Sequence, residues 1–475
     1  VAQAASNSYR TAPEPPLRGR ILDVRGDVLA DSRIANVVTL DRNLDQAKRD
    51  LVVGRLSELL GVPAATLRTR IEDPRVSPYA PVPVAVDVPI DALTFVAEHR
   101  SDFPGVQAEP VAIRRYPNAA TAAHLLGYTG EINAEELASS PASARYALGD
   151  DIGKAGIEQT FERELRGRPG RTVYEVDAAG HVLRTVERVP ARPGHDVQLT
   201  VDLGIQRVAE AALAQGLESA RLQRDTTRRD KFVNLAAPAG AVVVIAVTDG
   251  SVVALASNPT FDPNEFINGI PTTRWRELND PANHYPLLDR AVSGQYAPGS
   301  TFKLISAVAG LRAGLISPNT TINDTGKYKI SDQTFTNAES AAFGRISLQR
   351  AITVSSDVYF YTIGGTLWPK QRRREAGADV IQETARLYGF GRASGVALPN
   401  EAVGRVPDAA WKQRIHDANP QAFPYPDWLP GDNVQLAVGQ GDMLVTPLQL
   451  AMAYQAFASG GRLASPRIVA RVFAA

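Results

Sequence analysis

The stretch Gln295-Tyr296-Ala297-Pro298-Gly299-Ser300-Thr301-Phe302-Lys303-Leu304 constrains this chain more than any other part of it. Pro298-Gly299 marks a turn, and the apolar positions that follow (Leu304, Ile305, Ala307, Val308, Leu311) predict a helix buried on most sides. Ser300 then sits in the first turn of a core helix, with Lys303 one turn on and on the same face. A serine hydroxyl is a poor nucleophile until a base removes its proton. A lysine amine can be that base once burial lowers its pKa from the ordinary value of about 10.4. The free N–H groups of a first helical turn are also suited to stabilising an oxyanion. This is the layout of an acyl-serine enzyme, with Ser300 as nucleophile and Lys303 as general base.

Ser-x-x-Lys alone is a weak signal, since a chain of this size holds roughly one by chance. A serine cap followed by a solvated lysine is the competing reading. Against it, lysine is scarce, and Lys303 is the only one with serine three residues before it. It also lies in the most apolar stretch of its region, where an unpaired ammonium would be costly. About 55 residues later, Ile352-Thr353-Val354-Ser355-Ser356-Asp357-Val358-Tyr359-Phe360-Tyr361 carries Ser-x-Asp on a loop or helix start. Ser355 can relay the proton between nucleophile, lysine and leaving amine. Asp357 can orient a substrate amide or hold the lysine, and Ser356 is the second candidate substrate contact. Read alone, Ser355 would be a helix cap.

Ser-x-x-Lys followed by Ser-x-Asn or Ser-x-Asp resembles the penicillin-binding proteins and serine β-lactamases. The resemblance covers nearly the whole chain from about residue 17. Leu17-Arg18-Gly19-Arg20-Ile21-Leu22-Asp23-Val24-Arg25-Gly26-Asp27 is similar to the opening of the non-catalytic domain of class B penicillin-binding proteins. So are Arg115-Tyr116-Pro117, Ala123-His124-Leu125-Leu126-Gly127-Tyr128-Thr129-Gly130, and Gly153-Lys154-Ala155-Gly156-Ile157-Glu158-Gln159-Thr160-Phe161-Glu162. Gly439-Gln440-Gly441 and Thr446-Pro447-Leu448-Gln449 match a segment that precedes the family's last active-site strand. Aspartate at position 357 looks more like the elongation type of class B enzyme.

The resemblance implies an α+β chain. A stalk over 1–16 is expected, then an extended pedestal (dimerisation) domain over 17–195. A serine transpeptidase, β-lactamase-like domain over 196–475 would follow, with an antiparallel sheet flanked by helices. It implies a peptidoglycan D,D-transpeptidase that cross-links D-Ala–D-Ala stem peptides and is acylated by β-lactams, with no metal or organic cofactor. The implied partners are a membrane glycan polymerase and elongation scaffold proteins. The implied location is the cell membrane, reached through a single N-terminal anchor ahead of the stalk, with the catalytic domain outside. A septal class B enzyme, a D,D-carboxypeptidase or β-lactamase, and an inactive scaffold or β-lactam sensor are the alternatives; the large pedestal counts against the hydrolases.

One family motif is absent: no Lys-Thr-Gly or Lys-Ser-Gly occurs in the sequence. Arg467 to Ala475 reads as a strand still in progress, an open edge. The expectation is a domain lacking its C-terminal strands, with a Lys-Thr-Gly-like strand within about 60 residues beyond Ala475. A degenerate, inactive member is the competing reading.

Composition narrows the field. A length of 475 residues suits two or three domains. Fifty-one basic residues balance 51 acidic ones, so the chain carries no electrostatic footprint for nucleic acid. Arg372-Arg373-Arg374 and the Arg221 to Lys231 stretch read as solvated faces or loops. Without cysteine there is no disulfide framework or thiolate metal site. Six scattered histidines with no His-Glu-x-x-His argue against a metallohydrolase, and the lack of Gly-x-Ser-x-Gly against an α/β-hydrolase. No apolar run approaches the roughly 20 residues needed to span a bilayer.

In the pedestal, Leu51, Leu56, Leu59 and Leu60 form a helical stripe ended by Gly61, and Ile157, Phe161 and Leu165 fall at i, i+4, i+8. Arg171–Val176 and Val182–Val186 predict a hairpin around Ala178-Ala179-Gly180. In the second domain, Val197–Val201 predicts a strand, and Ile205, Val208, Ala212 and Leu213 lie along a helix after it. Ala241–Val247 and Val252–Ala256 predict a hairpin with a type I′ turn at Asp249-Gly250. Largely helical chain is expected from Ser300 to about Leu387, then the Gly389-Phe390-Gly391 loop and a helix from Pro447 to about Ala458.

Overall fold

The computed structural model describes residues 9–14, 16–41, 44–72, 81–141, 146, 150–176, 182–225, 232–267, 269–373, 375 and 377–474. Backbone pairing begins earlier than composition suggested. Strand β1 (Tyr9–Glu14) lies inside the expected stalk, yet it runs antiparallel to β8 (Gly170–Val176), from Tyr9 opposite Glu175 to Glu14 opposite Gly170. Main-chain ladders need no apolar periodicity, so a Ser/Ala/Pro-rich composition did not reveal it. On its other side β8 pairs with β9 (Val182–Val189), forming the predicted hairpin; the Ala178-Ala179-Gly180 turn lies outside the described residues.

A larger sheet joins the two ends of the chain. Its strands are β2 (Ile21–Leu22), the 13-residue β3 (Val28–Leu40), β4 (Val82–Val86), β5 (Val106–Arg115), β10 (His195–Leu199) and β17 (Val469–Ala474), in the order β17-β10-β2-β3-β4 with β5 also on β3. Val469 to Phe473, expected as an open edge, is hydrogen-bonded along one side. It pairs antiparallel with β10, from Leu199 opposite Val469 to His195 opposite Ala474. β10 pairs in parallel with β2 on its other side. Buried Asp196 pins this junction, accepting from the Arg20 amide (2.6 Å) and from the Arg20 guanidinium (2.6 and 3.0 Å). A separate short pair, β6 (Thr129–Glu131) and β7 (Asp151–Gly153), completes the pedestal strands.

The helix Gln46–Leu60 starts on an Asp45 cap and stops at left-handed Gly61, where sequence placed its end. Its buried residues are Val52, Val53 and Leu56, with Leu59 and Leu60 partly covered, while Leu51 points to solvent. The Ile157/Phe161/Leu165 line is split between two short helices, Gly156–Thr160 and Glu162–Leu165, that break at Phe161; Ile157 and Leu165 are fully buried nonetheless.

In the second half, the helix Leu203–Arg221 lies on β12 (Val252–Asn258). Its buried side is Leu203, Gln206 and Ala209, whereas Ile205 and Val208 are exposed. The face is offset because a glutamine occupies its centre. Gln206 donates to the Leu255 carbonyl and accepts from the Leu255 amide, both at 2.8 Å, standing in for a neighbouring strand. β11 (Gly240–Ile245) and β12 form the predicted antiparallel hairpin, and the helix Pro447–Ala458 packs on β11 from a Thr446/Gln449 capping box. The connection is not type I′. Only Gly250 has positive φ, and the Gly250 amide closes back on the Ala246 carbonyl in a longer loop.

The stretch expected to be largely helical after Ser300 contains two small antiparallel ribbons. β13 (Thr321–Asp324) pairs with β16 (Gly344–Ser347), and β14 (Lys327–Ile330) with β15 (Gln333–Thr336). Helices Leu348–Thr353 and Asp357–Arg372 follow. The largest core cluster gathers Phe302, Ile305, Tyr359, Phe360, Ile381, Phe390, Val434 and Met443 around the helix that carries Lys303. Among the described residues no helix is long and apolar enough to cross a membrane. Arg373 pairs at the surface with Glu375, while Arg374 and residues 226–231 of the other basic stretch lie outside the described residues.

Candidate active site

Ser300 stands on a 3₁₀ turn, Gly299–Phe302, that runs directly into the helix Lys303–Arg312. The turn is fastened from three sides. Phe302 is fully buried against Phe390, Tyr454 donates its hydroxyl to the Thr301 carbonyl (2.9 Å), and Tyr296 exchanges two 2.9 Å backbone bonds with Val445. The Gly299 amide donates to the Gly439 carbonyl at 2.8 Å. Gly439 itself has φ +69°, and a Cβ there would stand 2.4 Å from the Gly299 oxygen and 2.5 Å from Phe302 Cβ. Only glycine fits at position 439, behind the turn that carries Ser300. Gly439→Ala is expected to cost about 2–4 kcal/mol from left-handed backbone and overpacking together, read as a drop of several degrees in Tm by calorimetry.

Ser300 is exposed and makes no side-chain hydrogen bond among the described residues. Lys303, one turn on, is only 3% exposed. Its Nζ donates to the Ser355 carbonyl at 2.7 Å and the Ser355 hydroxyl at 2.9 Å, and it pairs with Asp357 Oδ1 at 2.7 Å. Three acceptors meet the three donors of an ammonium. Burial pushes the amine's pKa below its ordinary value, and the hydrogen bond and charge of Asp357 oppose that fall. The Phe360 ring, 5.8 Å from Nζ, covers another side.

Both Ser355 acceptors reach one amine because Ser355 is left-handed, with φ +55°. A non-glycine residue there costs about 1–3 kcal/mol and persists only where its surroundings over-determine it. The fastening is visible. The Ser355 amide donates to Ile352 O (3.2 Å), the Ser356 amide to Ala351 O (2.9 Å), and the helix Asp357–Arg372 begins immediately after.

The structure joins Lys303, Ser355 and Asp357 through the lysine amine, and places Ser300 on the turn that leads into Lys303. Ser356, expected as a substrate contact, is corrected. It is fully buried, donates to Asp324 Oδ2 at 2.5 Å and accepts from the Tyr359 amide at 3.1 Å. Ser356, not Ser355, is the helix cap. Asp324 and Asn337, which hold this cap from the neighbouring ribbons, were not singled out in the sequence because that region was read as helical. Among the described residues no cluster of three or more His, Cys, Asp or Glu is arranged to hold a metal ion.

Comparison with known proteins places this geometry in a family. The penicillin-binding protein dimerisation domain matches residues 13–199, and the penicillin-binding protein transpeptidase domain matches residues 240–474. The peptidoglycan D,D-transpeptidase MrdA of Acinetobacter baumannii is 32% identical over 468 residues, 98% of this chain and 63% of that protein. The MrdA of Escherichia coli K12 is 31% identical over 474 residues, 98% of this chain and 68% of that protein. The chain thus spans roughly two thirds of the length of these curated relatives. Among solved structures, Helicobacter pylori PBP2 in complex with MreC superposes with a TM-score of 0.76 at 28% identity, covering 98% of this chain and 79% of that one.

Proposed function

The chain belongs to the class B penicillin-binding proteins, a dimerisation domain followed by a transpeptidase domain, and from that premise we propose that it cross-links peptidoglycan as an elongation-type D,D-transpeptidase. The observation that carries this reading is the buried Lys303 amine, held by Ser355 and Asp357 one turn from the exposed Ser300. Ser300 Oγ attacks the carbonyl between the two D-Ala residues of a donor stem peptide as its proton passes to Lys303. The C–N bond breaks, and the departing D-Ala amine takes a proton through Ser355. A neighbouring stem-peptide amine then attacks the acyl-serine, returning the proton to Ser300 Oγ and completing the cross-link. A β-lactam, whose leaving amine stays tethered after ring opening, would leave Ser300 acylated.

The division of labour we assign is a pedestal over 17–195 and a catalytic domain over 196–475, working at the outer face of the cell membrane. An elongation scaffold and a membrane glycan polymerase are the proposed partners; the Helicobacter relative's complex with MreC supports the first. Depletion in cells with analysis of muropeptides tests the reading: fewer cross-links and rounded cells are expected. Filaments would assign the enzyme to division, and unchanged cross-linking would remove the proposal.

Asp357→Asn offers a test of the lysine's environment. The carboxylate holds the Lys303 pKa up against burial, so its loss lets the amine shed its proton at lower pH. The acid limb of the pH profile for β-lactam acylation is expected to move to lower pH, measured by stopped-flow fluorescence. A limb that stays put or moves upward would separate Asp357 from the base.

A further inference from the structure

Behind the Ser355 turn lies a buried polar network that the mechanism above does not use. Asp324, at the end of β13, is 1% exposed, and its carboxylate accepts four hydrogen bonds. They come from the Gly326 amide (2.8 Å), the Ser356 hydroxyl (2.5 Å) and the Asn337 side-chain amide, 2.9 Å from each oxygen. Asn337 Nδ2 also donates to the Ala341 carbonyl at 2.7 Å. The other ends of the same two side chains hold the helix Asp357–Arg372. Asn337 Oδ1 accepts from the Val358 amide at 2.9 Å, and Ser356 Oγ accepts from the Tyr359 amide at 3.1 Å. Two of the free N–H groups of that helix's first turn are therefore satisfied by side chains that Asp324 orients.

We propose that Asp324 is a positioning residue for the Lys303 site, fixing the Ser355–Asp357 turn through Ser356 and Asn337. The chain of cause is short. Ser355 supplies two acceptors to Lys303 only in its left-handed conformation, and Asp357 supplies the third from the first residue of the capped helix. Both residues flank Ser356, whose hydroxyl the carboxylate grips by a charge-assisted bond. An amide in place of the carboxylate would turn a donor toward Asn337 or Ser356 and free the cap. This role rests on the reading of Lys303 as the base.

The test compares wild type with Asp324→Asn and Ser356→Ala in two assays. In the first, acylation of Ser300 by a fluorescent penicillin is resolved into the affinity of the initial complex and the rate at saturation. The saturating rate is expected to fall about 10- to 10²-fold in folded protein, since small misplacements of catalytic groups have effects of that size, while the affinity is kept. In the second, the pH dependence of Lys303 acetylation by acetic anhydride, read by peptide mass spectrometry, reports the amine without requiring Ser300 to react. Its midpoint is expected to shift in both variants. A wild type that penicillin does not acylate would sink the transpeptidase reading, and the labelling assay would still decide the positioning role. Variants with lowered Tm but an unchanged saturating rate and labelling midpoint would overturn it, leaving the network a fold clasp. Should Asp324→Asn not fold, the smaller change Ser356→Ala decides by the same two readouts.

Discussion

Incubated with a fluorescent penicillin, the protein is expected to carry a covalent label on Ser300, and Ser300→Ala to carry none. The hydroxyl is exposed at the head of a turn fastened by Phe302, Gly439 and Tyr454, so removing one oxygen should leave the fold intact. Intact-mass measurement reads the result as an added mass of one β-lactam in the wild type. Equal labelling in Ser300→Ala would mean that another nucleophile is at work and would dismantle the site as described.

Lys303→Arg is expected to lower acylation by at least about 10²-fold, the low end for losing a general base. Charge is retained, but a guanidinium stays protonated and cannot receive the serine proton. Geometry adds to the loss. The pocket is built for a compact ammonium with three acceptors converging on one atom, and a planar fork cannot satisfy Ser355 O, Ser355 Oγ and Asp357 from one nitrogen. Circular dichroism on the same sample separates lost chemistry from lost fold. Near-normal acylation in the variant would return Lys303 to a structural role.

The Ser300-to-Lys303 turn and the Ser355-x-Asp357 turn that meets the lysine were legible as candidates because each motif is local, spanning three or four consecutive residues. What was illegible is held by contacts between segments distant in sequence. Asp324, Asn337 and Ser356 are polar residues of ordinary types spread over 33 positions, and nothing in their spacing announces a shared network. Ser356 looked like a substrate contact because it sits between two residues that both reach the Lys303 amine. Asp249-Gly250 announced a reversal of chain but not its length, which depends on the Gly250 bond to Ala246. The helix Leu203–Arg221 hid its buried face behind Gln206, a residue that apolar periodicity cannot count. Strand β1 was missed and the partner of β17 was not foreseen for one reason: each pairs with backbone more than a hundred residues away.

That last pairing has a mechanical consequence. Strand β10 is hydrogen-bonded on one side to β2, near the start of the chain, and on the other to β17, near Ala474. A protein whose domains hung from a simple tether would melt piecewise, and either piece could be cut free. Here a cut at residue 195 would strip β10 from β2 and leave the buried Asp196 carboxylate without Arg20, an uncompensated charge in the interior. Backbone from near both ends of the described chain is therefore stitched into one sheet through β10, so its two halves are joined by hydrogen-bonded strands as well as by the covalent connection.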